Sequence, residues 1–517
     1  MWMRLPILRY SAPATRQQVL QFNGVRYGPG GGDGDLAESL NLSSRLYPAL
    51  GQRLGREAVG GYTAPTAVYA RDKLCVVDGT DLLYDGKRVG TVTAGEKRVA
   101  AVNSKILVFP DKVYYDVEKG EFGPMARSVV LAHGGLTFTD DALEVSENPV
   151  EGKTLADLFA ANQAIEITGC SIQANNKSII VRGVQGNKLT FYEHSFTAGS
   201  SDADVTLERK VPDLAYICES GNRLWGVEEN TIWASALGDP LTFYNYDGLS
   251  TDSFAVAVGS EGEFTGCCAY SSNVLFFKET CLHKLLGSEP SEYRIYTYNV
   301  PGVQAGSGES LQVVNEVLYY KGAAGVYAYT GGAPTLASEN FGPRRFGSAR
   351  AGTDGLNYYI SMEDLDSGAW GLYVFDTLRG VWLREDDSHA LGFARLNGEL
   401  HFLSGDGKLY KMNREGLEEK LRWEALLAPF DWTLPERKQY VRLYIQAELE
   451  EGGWLRVEVR EDGKPWKQAA LHHADRRKNF AVPVAPCRCD TLQLRLSGEG
   501  RCLVRQVTRE FVVGGSR

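Results

Sequence analysis

The sequence predicts an all-β protein, a β-propeller of six to seven blades with an inserted small β domain and a C-terminal β-sandwich. Three observations predict it. Gly (57) and Tyr (26) are plentiful. Between turn residues run short alternations of apolar and polar side chains, the period of strands rather than helices. One short phrase recurs along the chain at nearly constant spacing.

The phrase is a turn residue, two variable residues, then Leu or a similar residue followed by aromatic or branched ones. Its copies are 71–76 (RDKLCV), 103–108 (NSKILV), 221–226 (GNRLWG), 272–277 (SNVLFF), 315–320 (NEVLYY), 355–360 (GLNYYI) and 397–402 (NGELHF). Their anchors are Leu74, Ile106, Leu224, Leu275, Leu318, Tyr358 and Leu400, so that from Leu224 onward they are 51, 43, 40 and 42 residues apart. A four-stranded unit of roughly 40 residues cannot bury both faces alone, and radial packing of such units into a propeller solves the problem. A stack of antiparallel sandwiches is the alternative. The first two anchors are only 32 apart, which implies one short blade or one chance match.

Taken in order, residues 1–60 hold a Gly-Pro-Gly-Gly-Gly-Asp-Gly run from Gly28 to Gly34 and little periodicity, which predicts an extended arm. Residues 61–129 give the first blades. Residues 130–210 read differently and predict an inserted small β domain, with one further blade anchored on Ile179 as the alternative. That stretch holds the one persuasive helical signal, 154–163, with Thr154 as N-cap and Asp157 three residues on. Residues 211–416 give the remaining blades. Residues 417–517 show about six alternating strands in 422–430, 440–449, 454–461, 480–484, 491–496 and 501–511, the pattern of a sandwich.

Composition excludes several classes. No stretch approaches the roughly 18 consecutive apolar residues of a membrane helix, so no membrane insertion is expected. Arg4 and Arg9 interrupt residues 1–10, so no secretory signal is expected there. Nine cysteines without regular spacing fit reduced, mostly buried thiols. The net charge of -10 argues against a surface built to grip nucleic acid. Charge is uneven: residues 418–517 carry 18 basic and 15 acidic side chains, leaving 37 basic against 50 acidic before them.

No catalytic signature, cofactor motif or metal site is expected. There is no G-x-S-x-G elbow or H-E-x-x-H helix, and the Gly28 to Gly34 run lacks the strand, helix and Lys-Ser/Thr pair of a phosphate loop. His472, His473, Cys487, Cys489 and Cys502 have the wrong spacing for a zinc ribbon or finger. Asp364 to Gly368 (DLDSG) alternates like a calcium loop but lacks the distal Glu, so a hairpin turn is expected. The short basic runs Arg344-Arg345 and Arg476-Arg477-Lys478 are candidate contacts to an acidic partner surface, with solvated loops as the alternative.

Several segments resemble propeller-bearing tail proteins of tailed bacteriophages, among them the tail hub or nozzle and the stabilisation (head-completion) proteins. Residues 41–53 (NLSSRLYPALGQR) resemble the arm ahead of the first blade, and 78–84 with 108–115 the first two blades. Residues 233–247, 264–287 and 299–332 resemble middle blades, and 423–430, 438–445 and 483–500 the terminal sandwich. The resemblance implies a non-catalytic structural protein of the virion tail, assembled in the host bacterial cytoplasm. Its expected partners are copies of itself in a ring, neighbouring connector or tail proteins, and duplex DNA that passes without sticking. Asn41, Tyr47 and Pro48 join the two basic runs as candidate interface residues. A host-recognition or glycan-binding propeller and a propeller hydrolase are the rival readings, the latter requiring carboxylates that converge in the channel.

Overall fold

The structure is a computed structural model that describes residues 14–28, 30–418, 420–430, 436–474, 478–483 and 488–513. The chain is all-β, and its centre is propeller-like. Among the described residues, seven runs of four antiparallel strands follow one another in a closed series, with first strands Pro65–Ala70, Arg98–Val102, Tyr216–Ser220, Gly266–Tyr270, Gln312–Val314, Phe346–Thr353 and Ala390–Leu396. The first strands of successive sheets touch, the fourth reaching the fifth through the 3-10 turn Gly308–Ser310, and the seventh returns to the first. No helix among the described residues is long and apolar enough to cross a membrane.

Every copy of the recurring phrase falls on the second strand of one of these sheets: Leu74–Asp78, Lys105–Phe109, Arg223–Glu228, Asn273–Phe277, Val317–Gly322, Asn357–Asp364 and Glu399–Ser404. That position is central in a blade and covered on both faces, which explains the apolar run: Ile106, Leu224, Leu275, Leu318 and Tyr358 are fully buried. The turn residue of the phrase makes the tight hairpin between first and second strands. Asn103, Asn222 and Asn397 have φ of 52°, 58° and 51°, a left-handed conformation that Asn tolerates and most residues avoid. The first two anchors are 32 apart because the hairpins of the first sheet are all short. The spacing of 51 has the opposite cause, a long excursion after Thr231–Ala234 that precedes the fourth strand, Phe254–Ala257.

The last sheet is closed by the start of the chain. Gly55–Gly61 pairs antiparallel with Lys408–Arg414 and becomes the outer strand of the seventh sheet. This corrects the expectation of an extended arm. Residues 14–61 are woven into their own chain: Thr15–Val19 and Leu50–Gln52 both pair with Cys502–Val513. Gly24–Val25 runs parallel to Asp35–Leu40 and to Val381–Asp386, and Asp35–Leu40 pairs with Arg422–Leu427. The sixth sheet thereby continues through the N-terminal strands into a C-terminal sheet, ten strands in all.

The C-terminal strands form two layers. Arg422–Leu427, Leu492–Glu499, Gly453–Glu461 and Lys467–Ala474 lie in one, and Lys438–Leu449, Cys502–Val513 and Lys478–Pro483 in the other. Lys467–Ala474 (KQAALHHA) has no period-two pattern, which is why the sequence does not predict it. The core between the layers is continuous with that of the sixth sheet: Trp423, Tyr440 and Leu496 share one apolar cluster with Val25, Leu36, Phe375 and Trp382. Trp382 stacks on Phe375 at 4.7 Å and donates its indole N–H to Ala337 O at 2.9 Å, so burial is achieved without an orphaned donor. The C-terminal strands are therefore not an independent appendage.

The 130–210 stretch has a core of its own and a shorter helix than the sequence suggests. Its apolar cluster is made only of residues 129–207, including Phe138, Phe191 and Phe196. It enters and leaves through one strand pair, Arg127–Leu131 with Val205–Arg209. The expected helix is a single turn, Leu155–Leu158. Thr154 donates from both its backbone N–H and its hydroxyl to Asp157 Oδ2, at 2.8 and 2.7 Å, but Gln163 turns back to cap Ala160 and the next strand begins at Ala164.

Candidate functional site at one mouth of the ring axis

The first strands line the ring axis, and three of them carry an arginine amid small or apolar residues: Arg98 in RVAAV, Arg350 in FGSARAGT and Arg395 in ALGFARL. Arg395 is exposed, whereas Arg98 and Arg350 are less so and each meets a carboxylate. Glu96 meets both, pairing with Arg98 at 2.9 Å and more closely with Arg350. Glu309 lies 3.3 Å from Arg98 Nε. Arg350 also donates to Gly306 O at 2.7 Å, and the Arg98 guanidinium lies 5.3 Å from the Tyr216 ring centroid. The segment is anchored from behind. Lys97, between Glu96 and Arg98, points into the body, where its ammonium pairs with Asp111 at 2.6 Å and Thr93 Oγ1 at 2.9 Å, both ion-pair partners being almost fully buried.

This charge cluster separates two adjoining cavities, of about 340 and 200 Å³, that share Thr66, Glu96, Arg350 and Leu391. The larger is walled by Trp370 and His389, whose rings stack at 3.7 Å. The smaller runs inward past Tyr69, Arg98 and Gln312. Electrostatically the mouth is balanced. Burial works to raise the Glu96 carboxyl, but the Arg98 and Arg350 guanidiniums outweigh it and hold the group below its ordinary range. Burial and then Arg350 depress His389.

The expected interface residues lie elsewhere, mostly in internal contacts. Asn41 is buried, accepts Arg53 Nε at 2.8 Å and donates to Arg422 O at 2.8 Å. Tyr47 packs against the large core with the Arg379 guanidinium 5.7 Å from its ring centroid, and Pro48 O accepts from Phe22 N at 3.2 Å. Arg344 lies over the Tyr27 ring at 3.4 Å and within 3.9 Å of Glu38 and Asp364. These four hold the N-terminal strands to their own chain. Arg345 is exposed and pairs with Asp366 at 2.8 Å. Arg476 and Arg477 lie outside the described residues, and Lys478 begins the strand Lys478–Pro483. The Asp364 to Gly368 segment is a hairpin turn, Asp364 Oδ1 accepting from the Asp366 and Ser367 N–H groups at 2.9 and 3.0 Å.

The axial group was not singled out by sequence reasoning. Its signal was available in the lone arginines of otherwise small or apolar strands, but pairing Glu96 with Arg350 needs the ring. Among the described residues no group of three His, Cys, Asp or Glu side chains could hold a metal ion. The cysteines there are free thiols, with Cys489 and Cys502 buried in the large core.

No family model matches the sequence, and no curated protein matches it. Similar solved structures include an exo-β-1,3-galactanase from Phanerochaete chrysosporium, 8% identical over 57% of this chain and 94% of that one, with a TM-score of 0.23. The endosialidase of phage phi92 is 8% identical over 76% of this chain and 75% of that one, with a TM-score of 0.27. An arabinoxylan arabinofuranohydrolase of glycoside hydrolase family 43 from Bacillus subtilis is 9% identical over 89% of this chain and 96% of that one, with a TM-score of 0.19. At these scores the likenesses carry no argument about substrate or activity.

Proposed function

We propose that the chain is a seven-bladed propeller with an inserted β unit and a C-terminal sandwich, and that it is a non-catalytic structural subunit of a tailed-phage virion. In this reading several copies form a ring in the tail or head-tail connection, and DNA passes through the ring. The observation that carries it is the ten-stranded sheet that joins the sixth blade, the N-terminal strands and the sandwich into one body. A subunit that holds a ring open around a moving polymer needs such stiffness, because a hinged joint would let the aperture change. The acidic balance of residues 1–417 supports the same reading, since each phosphate contact releases counterions and adds affinity that would stall passage. With the N-terminal strands engaged internally, contacts to neighbouring subunits or connector proteins fall to other surfaces. Val130 and Tyr192, 58% and 54% exposed on the insertion, are the strongest candidates.

A hydrolase is disfavoured at the axis. Glycosidase chemistry needs one carboxyl group raised to serve as general acid, whereas Glu96 is lowered by two arginines. A glycan-binding propeller is the second reading, favoured by the cavity beside Trp370. Imaging of intact particles after labelling this chain tests the proposal. Density on the tail axis supports it, and labelled copies at fibre tips overturn it in favour of host recognition.

A further inference from the structure

We infer that the mouth of the ring axis is a binding site for a neutral carbohydrate, with Trp370 as the platform for a sugar ring and Glu96 and Arg350 as partners for its hydroxyls. The larger cavity, about 340 Å³, lies within the roughly 300–1,000 Å³ of small-molecule sites. It adjoins the inner cavity, the two sharing Thr66, Glu96, Arg350 and Leu391 in their walls. Trp370 is fixed by its stack on His389, and a rigid aromatic wall offers apolar contact without loss of rotamer freedom on binding. In the same wall stand one carboxylate acceptor, Glu96, and one guanidinium donor, Arg350. A pair of adjacent hydroxyls, each able to donate and accept, matches that pair. Two polar atoms at the mouth are buried without a protein hydrogen-bond partner, Thr66 Oγ1 and Arg98 Nε, the latter with Glu309 nearby but off its N–H direction.

Charge decides the ligand class. Arg98 and Arg350 are met by Glu96 and Glu309, so an anion would have to displace a carboxylate, and a cation would have to displace a guanidinium. A neutral polyhydroxylated ligand displaces neither. The inference does not depend on the ring assignment: a virion subunit that binds no sugar loses only this site, and a sugar-binding chain found outside a virion keeps it.

The test is saturation-transfer NMR on the full chain with cellotriose, maltotriose, lactose and chitotriose as neutral probes, and sialyllactose as the anionic one. Binding of at least one neutral probe, weakened about tenfold or more by Trp370→Ala and also by Glu96→Gln, is the expected result. Trp370→Phe keeps an aromatic wall and should retain most of the binding, and unchanged melting of each variant shows that the fold is intact. Binding of none of the neutral probes, binding of sialyllactose alone, or binding indifferent to Trp370→Ala each overturns the inference.

Discussion

Arg56 Nη2 lies 2.7 Å from Glu385 Oε2, with both side chains only 6% exposed, and this pair ties the closing strand of the ring to the sixth sheet. Arg56 also reaches Asp386 at 2.6 Å and lies over the Phe402 ring at 5.1 Å. Removing one partner of a buried pair leaves an uncompensated charge, which costs about 3–5 kcal/mol. Arg56→Ala should therefore lower stability by that amount in chemical denaturation. Arg56→Met combined with Glu385→Leu should recover most of it, because Asp386 keeps Arg53 at 3.7 Å. A double variant as unstable as the single one would show that the network does more than neutralise itself.

Gly24 tests the joint between the ring and the C-terminal strands. Its φ is +81°, and a Cβ built there would run into Trp382 O and approach Val381 Cγ1 to 2.7 Å. The residue bridges Asp35–Leu40 and Val381–Asp386 in the ten-stranded sheet. Gly24→Ala combines left-handed strain with overpacking against backbone, so a loss of about 2–4 kcal/mol is expected. Hydrogen exchange should quicken in both neighbouring strands. Quickening in only one would mean that the sheet is not mechanically continuous.

His283 supplies a pH signature. Burial, then the Lys278 ammonium, push its imidazole down to about 4 from an ordinary 6.5. Its ring nitrogens meet Ser260 Oγ at 2.8 Å and Thr297 Oγ1 at 2.9 Å, beside Cys281. A folded-state value below the unfolded one means that the unfolded chain binds the proton first. The contribution is complete above about pH 6.5 and is lost as pH falls toward 4, up to about 3 kcal/mol in all. His283→Gln should flatten the stability profile across that window and change it little above pH 7.

How much of this could be read from the sequence depends on whether a feature repeats. The phrase anchored on Leu224, Leu275 and Leu318 is legible because each copy meets the same requirement: a left-handed turn, then a strand buried on both faces. Residues 14–61 are not legible in the same way. Their partners, such as Trp382 for Gly24 and Lys408 for Gly61, lie hundreds of residues away, and short strands such as Gly24–Val25 carry no period. The axial site fails to announce itself for a related reason. Glu96, Arg350 and Trp370 come from a loop and from the first and third strands of the sixth sheet, and each is ordinary in its own neighbourhood. The DLDSG turn is legible because its hydrogen bonds are local.

The insertion gives the last prediction. Its core, from Val129 to Leu207, is made of its own residues, and its stem is the antiparallel pair Arg127–Leu131 and Val205–Arg209. Arg209 reaches out of the unit to Met125 O, with Nε at 3.0 Å and Nη2 at 2.7 Å, so the stem is held to the second sheet at its base. Replacing residues 132–204 by a two-residue Asn-Gly turn keeps Arg209 and the stem pairing, and a two-residue turn suits an antiparallel pair. The shortened chain should keep its β-type circular dichroism, and its main melting transition should move by only a few degrees, because the apolar clusters of the ring contain none of the deleted residues. In the ring reading the same variant should fail to incorporate into particles, since Tyr192 and most of the insertion surface are gone. Collapse of the whole folded signal would show that the insertion is part of the ring's own stability. Normal incorporation would move the contacts between subunits to the C-terminal strands or the edges of the ring's sheets.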